Sequence, residues 1–469
     1  MAQTQKLFPH NHLAYAVPAK PPAELLNPRE RRLAIALFVM GMLMYFVVNI
    51  HRVAVPGQIF SQLQAEWKVS ASAIAGLGTS FMYIYAATQL LVGVLVDRYG
   101  GMRVLAAGCA VMTVGALLFA CAHAFWMLFA SRALIGMGCG CAYLSMVKEC
   151  ARLYPGRRFT GMLGFVVFFG YSGGIAGTFP FVRCVSRFGW RTGMLAVAVA
   201  GAVVLAGMAL LWRRVRKPPV NRGAVLSLAP YRDGLTNINT LKCLLSTMVT
   251  FGVYYVVLTV VGKKFLEDIG GLSATAAALC CSLMVFLSAI SNQVTGLISG
   301  AGGNRRRGFL LWQTGVVPLG CLLTLAGLVF LRGSPALGPL LAAAFMVIML
   351  TSGFSPIVNA MLLEINPPAL TGVAVGLGNF TAYAAVAVLS SVAGGILDAF
   401  RGQTRIDAAT GTVFYPASAY VVLFGVLLLI GLGAFGLACR LQETRGNNIY
   451  DGQPRVIRLF GRFTLRLHT

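Results

Sequence analysis

The sequence predicts an all-α membrane protein in which twelve transmembrane helices form two six-helix bundles. Three observations carry that prediction. Of 469 residues, 58% are hydrophobic and only 11% charged, with a mean hydropathy of +0.77. A soluble chain carries about a quarter charged residues, and a bilayer is the solvent that accepts this much apolar surface. The apolar residues also fall into separate runs long enough to cross ~30 Å of hydrocarbon as helices. Finally, Lys and Arg gather on the loops of one side, as orientation in a membrane requires.

The elements follow in order. Residues 1–32 form a polar, Pro-containing tail that ends in Arg29, Arg31 and Arg32, with no evident cleavable signal. Spans are expected at 33–55, 71–92, 104–122, 126–147, 160–181 and 192–212. The polar stretch 213–238 then links the first bundle (33–212) to the second (239–439). Spans of the second bundle are expected at 239–262, 273–299, 308–331, 335–362, 370–397 and 417–439. A basic tail, 440–469, closes the chain. In it Arg455, Arg458, Arg462 and Arg466 recur at helical spacing, which suits either an amphipathic helix on a membrane surface or a disordered tail.

An even number of spans puts both ends on one side. The basic clusters Arg29–Arg32, Arg98/Arg103, Arg152/Arg157/Arg158, Arg213–Lys217 and Arg305–Arg307 all fall on that side. It is therefore the cytoplasmic side by the positive-inside rule, and the net charge of +25 reports orientation rather than nucleic-acid binding. The eleven Cys lie mostly in apolar runs, and Cys139/Cys141 have no further ligands at metal spacing. No metal, cofactor or nucleic acid is expected, and the chain is expected to work as a monomer in the bilayer.

Residues Gly93–Arg103 read GVLVDRYGGMR between spans 2 and 3. The glycines allow a tight turn, and the Asp97 carboxylate can bind the positive end of a neighbouring helix. Arg132-x-x-x-Gly136 opens span 4, and Phe188-Gly-Trp-Arg191 precedes span 6. Glu364-Ile-Asn-Pro-Pro, then Thr371-Gly372 and Gly376-x-Gly378-Asn379, mark spans 10 and 11. Gly296–Ser299 echoes Gly93–Val96, but Gly300 stands where the acid would be. Together these resemble the major facilitator superfamily over roughly residues 30–440, closest to the bacterial organic-anion and organophosphate (sugar-phosphate permease-like) branch.

The resemblance implies a gate built from Gly93, Asp97, Arg98, Gly100 and Arg103, with Asp97 latching onto the start of span 11. It also implies a cavity-facing Arg on span 1, which here is Arg52 beside His51. Its forked guanidinium suits phosphate or carboxylate. At 1.5 Å per residue Arg52 lies ~28 Å from Leu33, near the far surface unless the helix is long and tilted. Arg132 is expected in a supporting role, and Tyr85, Gln89 and Asn379 as cavity residues. Lys263 and Lys264 are expected in solvent beside Glu267 and Asp268, and Lys148 is expected to pair with Glu149.

No Asp or Glu lies mid-span, whereas proton-coupled sugar and drug carriers depend on buried carboxylates. His51 is the remaining titratable candidate. The sequence therefore points to a secondary transporter, not an enzyme, that moves a small organic anion, phosphorylated or carboxylated, across a bacterial inner membrane, by symport or antiport. A drug or amphiphile exporter of the same fold and a transporter-like sensor are the alternatives.

Overall fold

The computed structural model describes residues 27–154, 157–215, 235, 237–303, 305–367, 371–450, 454–459 and 463–468. The tail before residue 27 and most of the expected 213–238 linker lie outside the described residues. Eleven helical segments are long and apolar enough to span a membrane, and one of them, Met162–Trp212, runs 51 residues and holds two crossings.

The first bundle has span 1 at Pro28–Ala54, span 2 at Ala71–Tyr99 and span 3 at Gly101–Ala120. Span 4 is Phe125–Gly140 continued by Ala142–Leu153. Span 5 starts as Arg157–Ala176, and the helix Phe179–Trp212 breaks at Gly189 (φ 81°), beyond which it is span 6. In the second bundle span 7 is Ile238–Val256, a π-helical turn Val257–Val261, and Gly262–Asp268. Spans 8 and 9 are Ala274–Ala301 and Arg306–Phe330, and span 10 runs from Leu337 to Glu364 through a 3₁₀ turn. Spans 11 and 12 are Thr371–Ala399 and Ala417–Ala438.

Polar residues set the helix starts. Asn27 caps span 1 in a reciprocal box with Glu30 (2.8 and 3.0 Å). Ser70, Asn237 and Ser273 cap spans 2, 7 and 8. Small residues then bring helices together. A Cβ at Gly173 would lie 2.0 Å from the Phe46 carbonyl oxygen, so span 5 approaches span 1 as only Gly permits.

Spans 1 and 3 pack on spans 5 and 6 and on spans 4 and 6, respectively, and spans 7 and 9 both pack on span 12. The halves meet chiefly where span 2 runs beside span 11, and span 5 beside span 8. Large apolar side chains such as Val203, Leu210, Phe330 and Leu429 face outward, as lipid contact requires.

The halves touch at the face opposite the chain termini, here termed the distal face. There Asp398 at the end of span 11 accepts from the Ala71 and Ser72 amides (2.6 and 3.0 Å) and from the Ser72 hydroxyl. Thr79 bonds Ser391 (3.2 Å), Thr178 bonds Ser282 (2.6 Å) and Gln64 donates to Tyr415 (2.7 Å). Toward the terminal face no hydrogen bond joins the halves among the described residues. The second half there closes on its own cluster, including Cys243, Leu310, Met361 and Leu377.

Two expectations change. Residues Pro454–Leu459 and Phe463–His468 form an antiparallel hairpin, not a helix. Val456, Ile457, Leu465 and Leu467 favour extended backbone over helix. Lys263 and Lys264 are buried rather than solvated, paired with Glu267 (2.6 Å) and Asp268 (2.5 Å). Lys264 also donates to the Val413 carbonyl, and Asp268 accepts from Tyr420 (2.8 Å). The loop between spans 11 and 12 folds over the end of span 7 and excludes water from these pairs.

Candidate functional site

A central cavity lies between the halves, lined from both. Arg52 is its one ionised residue among the described lining. Tyr45, Asn49 and Arg52 sit at i, i+4 and i+7 on span 1, which puts all three on one face of the helix. Span 1 begins at Pro28, so it is long, and helical side chains lean toward the N-terminus. The Arg52 guanidinium thus reaches Tyr85 and Tyr383, which stand near the middles of spans 2 and 11.

Its contacts are all neutral. Nε donates to the Tyr255 hydroxyl (3.1 Å), Nη2 to the Tyr383 hydroxyl (2.5 Å) and Nη1 to Asn49 Oδ1 (3.4 Å). The cation also lies 5.3 Å from the ring centroids of Tyr85 and Tyr383 and 5.7 Å from that of Tyr255. Tyr255 and Tyr383 belong to the second half, so Arg52 bridges the halves. Having accepted from Arg52, each of those hydroxyls keeps its own proton to donate.

Tyr85, Gln89 and Asn379 line this cavity together with Arg52. Gln89 donates to the Gly140 carbonyl (3.1 Å). Asn359 and Asn379 make no hydrogen bond to another described residue, so both amides are open to a ligand. Asn49, Tyr254, Tyr255, Asn359 and Tyr383 also line it and were missed by the sequence reading; the 45/49/52 spacing was the available signal.

His51 and Arg132 are placed elsewhere. One residue along the helix turns His51 by about 100° from Arg52, away from the cavity lining, and neither ring nitrogen has a protein partner. Arg132 is fully buried, with its guanidinium 4.3 Å from the Phe81 ring centroid. It donates to the carbonyls of Leu77 (3.2 Å), His51 (3.1 Å) and Val55 (3.0 Å). Those carbonyls fasten spans 1, 2 and 4 to one another. Three of its five N–H donors are committed to backbone, and it is not among the described residues that line the cavity.

Residues 33–391 match the Major Facilitator Superfamily. This chain is a member of that superfamily. "Probable anion transporter 3, chloroplastic" of Arabidopsis thaliana is 31% identical over 146 residues, 30% of this chain and 27% of that protein. "Probable anion transporter 4, chloroplastic" of Oryza sativa subsp. japonica is 28% identical over 172 residues, 36% of this chain and 28% of that one. The matched segments thus span little more than a quarter of those relatives' length. Among solved structures, a POT family transporter in complex with 5-aminolevulinic acid superposes with a TM-score of 0.68 at 14% identity, covering 88% of this chain and 97% of that one. A bacterial homologue of the human lysosomal transporter Spinster gives 0.64 at 14%, covering 89% and 98%. These likenesses show the fold.

In this superfamily member the Gly93–Arg103 segment lies on the terminal face. Asp97 pairs with Lys148 (2.6 Å), both about half exposed, and bonds to no described residue of span 11. This corrects the expected Lys148–Glu149 pair: Glu149 instead binds Arg152 (2.7 Å) and accepts from the Met102 amide at the start of span 3 (3.3 Å). Gly100 takes φ 86° and turns the chain, Arg98 stacks on Tyr99, and Arg103 donates to the Tyr99 carbonyl (3.0 Å). Gly93 meets open space.

Proposed function

We propose that this protein is a secondary active transporter of a small organic anion that works by alternating access. The carrying observation is Arg52, a buried cation in a cavity between two halves with no acid beside it. Leaving a charge there unpaired is costly, and a bound carboxylate or phosphate ester removes that cost. The Tyr255 and Tyr383 hydroxyls stand where they add two donors to the anion's oxygens. Relatives named anion transporters support the same class.

The positive-inside rule supports a cytoplasmic terminal face, and on this reading both chain ends lie inside, with a bacterial inner membrane as the setting. The conformation, closed at the distal face, is then inward-facing. Asp97 latches the other state, when span 11 swings beneath it, and Arg98 and Arg103 hold that turn in shape. The halves, 33–212 and 239–439, move as the two rocking bodies.

A thermal-shift screen of purified protein over organic anions, phosphate esters, sugars and cations tests this. Stabilisation by anions, lost in Arg52→Ala, is expected. Stabilisation that survives Arg52→Ala, or that comes from cations, removes the anion assignment.

A further inference from the structure

We infer that the substrate is a univalent anion, not a zwitterion or a multiply charged ester, with a hydroxyl- or amide-bearing body. The inference deepens the anion reading and rests on it. It comes from a charge count. Arg52 supplies one positive charge to the described cavity lining, and the other lining residues are neutral.

Among the described residues no second cation lines the cavity. Arg132 bonds three backbone carbonyls and is not among the described residues that line the cavity. Lys263 and Lys264 are held by Glu267 and Asp268 at the distal face. Lys148 is held by Asp97, Arg152 by Glu149 and Arg306 by Glu364 (2.9 Å), all toward the terminal face. One carboxylate on Arg52 brings the site to neutrality. A second negative charge would meet only Tyr and Asn dipoles in the described lining, and dipoles do not repay desolvation of a full charge. A substrate ammonium is disfavoured by the same argument, because the lining holds no carboxylate.

The body of the substrate is read from the other polar groups. Asn359 and Asn379 carry open amides, and Asn292 keeps its acceptor after donating to the Ser352 carbonyl (3.1 Å). All three lie in the second half, across the cavity from Arg52. Amides both donate and accept, which suits hydroxyls or amides and gives an aliphatic chain nothing.

The test uses two matched sets that differ in charge at fixed carbon number. One is glycerol, glycerate, tartronate and 3-phosphoglycerate; the other is sorbitol, gluconate, glucarate and 6-phosphogluconate. Affinities are measured by thermal shift on the wild-type full chain, Arg52→Ala and Asn379→Lys. The expected result is that the univalent member of at least one set binds at least about tenfold tighter than its multivalent counterparts, and only when Arg52 is present. The neutral polyols are expected to give no shift. Asn379→Lys adds a cation and is expected to move the preference toward the divalent member. Arg52-dependent binding led by tartronate, glucarate or the phosphate esters overturns univalence and leaves the anion reading intact. No Arg52-dependent binding by either set overturns the polar-bodied univalent substrate, and the broad anion screen then judges the parent reading separately.

Discussion

Arg52 and Arg132 are both buried guanidiniums in the first bundle, yet their surroundings give them opposite consequences. Arg132 satisfies three backbone carbonyls that no water reaches. Arg132→Ala should therefore destabilise the protein by about 3 kcal/mol or more, seen as a lower melting temperature in detergent with or without ligand. Arg52 instead carries a charge that only neutral groups face. Arg52→Ala should leave the ligand-free protein at least as stable as the wild type, while ligand-induced stabilisation disappears. A fall in ligand-free stability matching that of Arg132→Ala would mean Arg52 is structural. Tyr383→Phe removes one hydroxyl from the guanidinium and one donor from the anion, and a loss of about fivefold in affinity is expected by titration, in line with ~1 kcal/mol per hydrogen bond. The sequence made Arg52 legible because a cation inside an apolar run is rare. Its cage was illegible because Tyr255 and Tyr383 lie more than 200 residues away along the chain, and nothing local marks which face of their spans meets span 1. Arg132 was misread for a related reason: the same rarity signals a cavity or a structural staple, and only the carbonyls around it decide.

Spans 2 and 11 run antiparallel, and each ends in a carboxylate. Asp398 caps the start of span 2 in the conformation described, whereas Asp97, at the other end of the pair, is exposed and pairs with Lys148. Asp398→Asn should weaken the distal closure by about 1 kcal/mol. Cysteine pairs placed across the distal face should then cross-link severalfold more slowly; unchanged cross-linking would show that the cap carries no closing force. Asp97→Asn should spare ligand binding and stop cycling. Span positions were legible from hydropathy to within several residues because lipid demands continuous apolar helices. The internal breaks at Cys141 and Val257–Val261 were not, since each depends on what packs alongside, whereas Gly189 falls in the gap expected between spans 5 and 6. The tail was read as either an amphipathic helix or a disordered segment, but β-branched and apolar residues between the arginines pair as strands. Lys263 and Lys264 were read as solvated because sequence shows a span's end and not the loop folded over it.

For the whole molecule, the cage links binding to movement. Arg52 and Asn49 belong to one half, Tyr255, Tyr383 and the open asparagines to the other, so an anion on Arg52, as proposed, would contact both bodies at once. In the ligand-free cavity the two tyrosine hydroxyls hold the guanidinium across the interface. On the proposed reading, substrate would compete with them and change what joins the halves, which is how binding can bias two conformations. The most direct measurement is counterflow of a labelled univalent organic anion in proteoliposomes, with the wild type beside Arg52→Lys and Arg52→Ala. Exchange is predicted in the wild type, reduced at least about tenfold in Arg52→Lys, where the fork is lost, and absent in Arg52→Ala. Undiminished exchange in Arg52→Ala would contradict the anion site at Arg52.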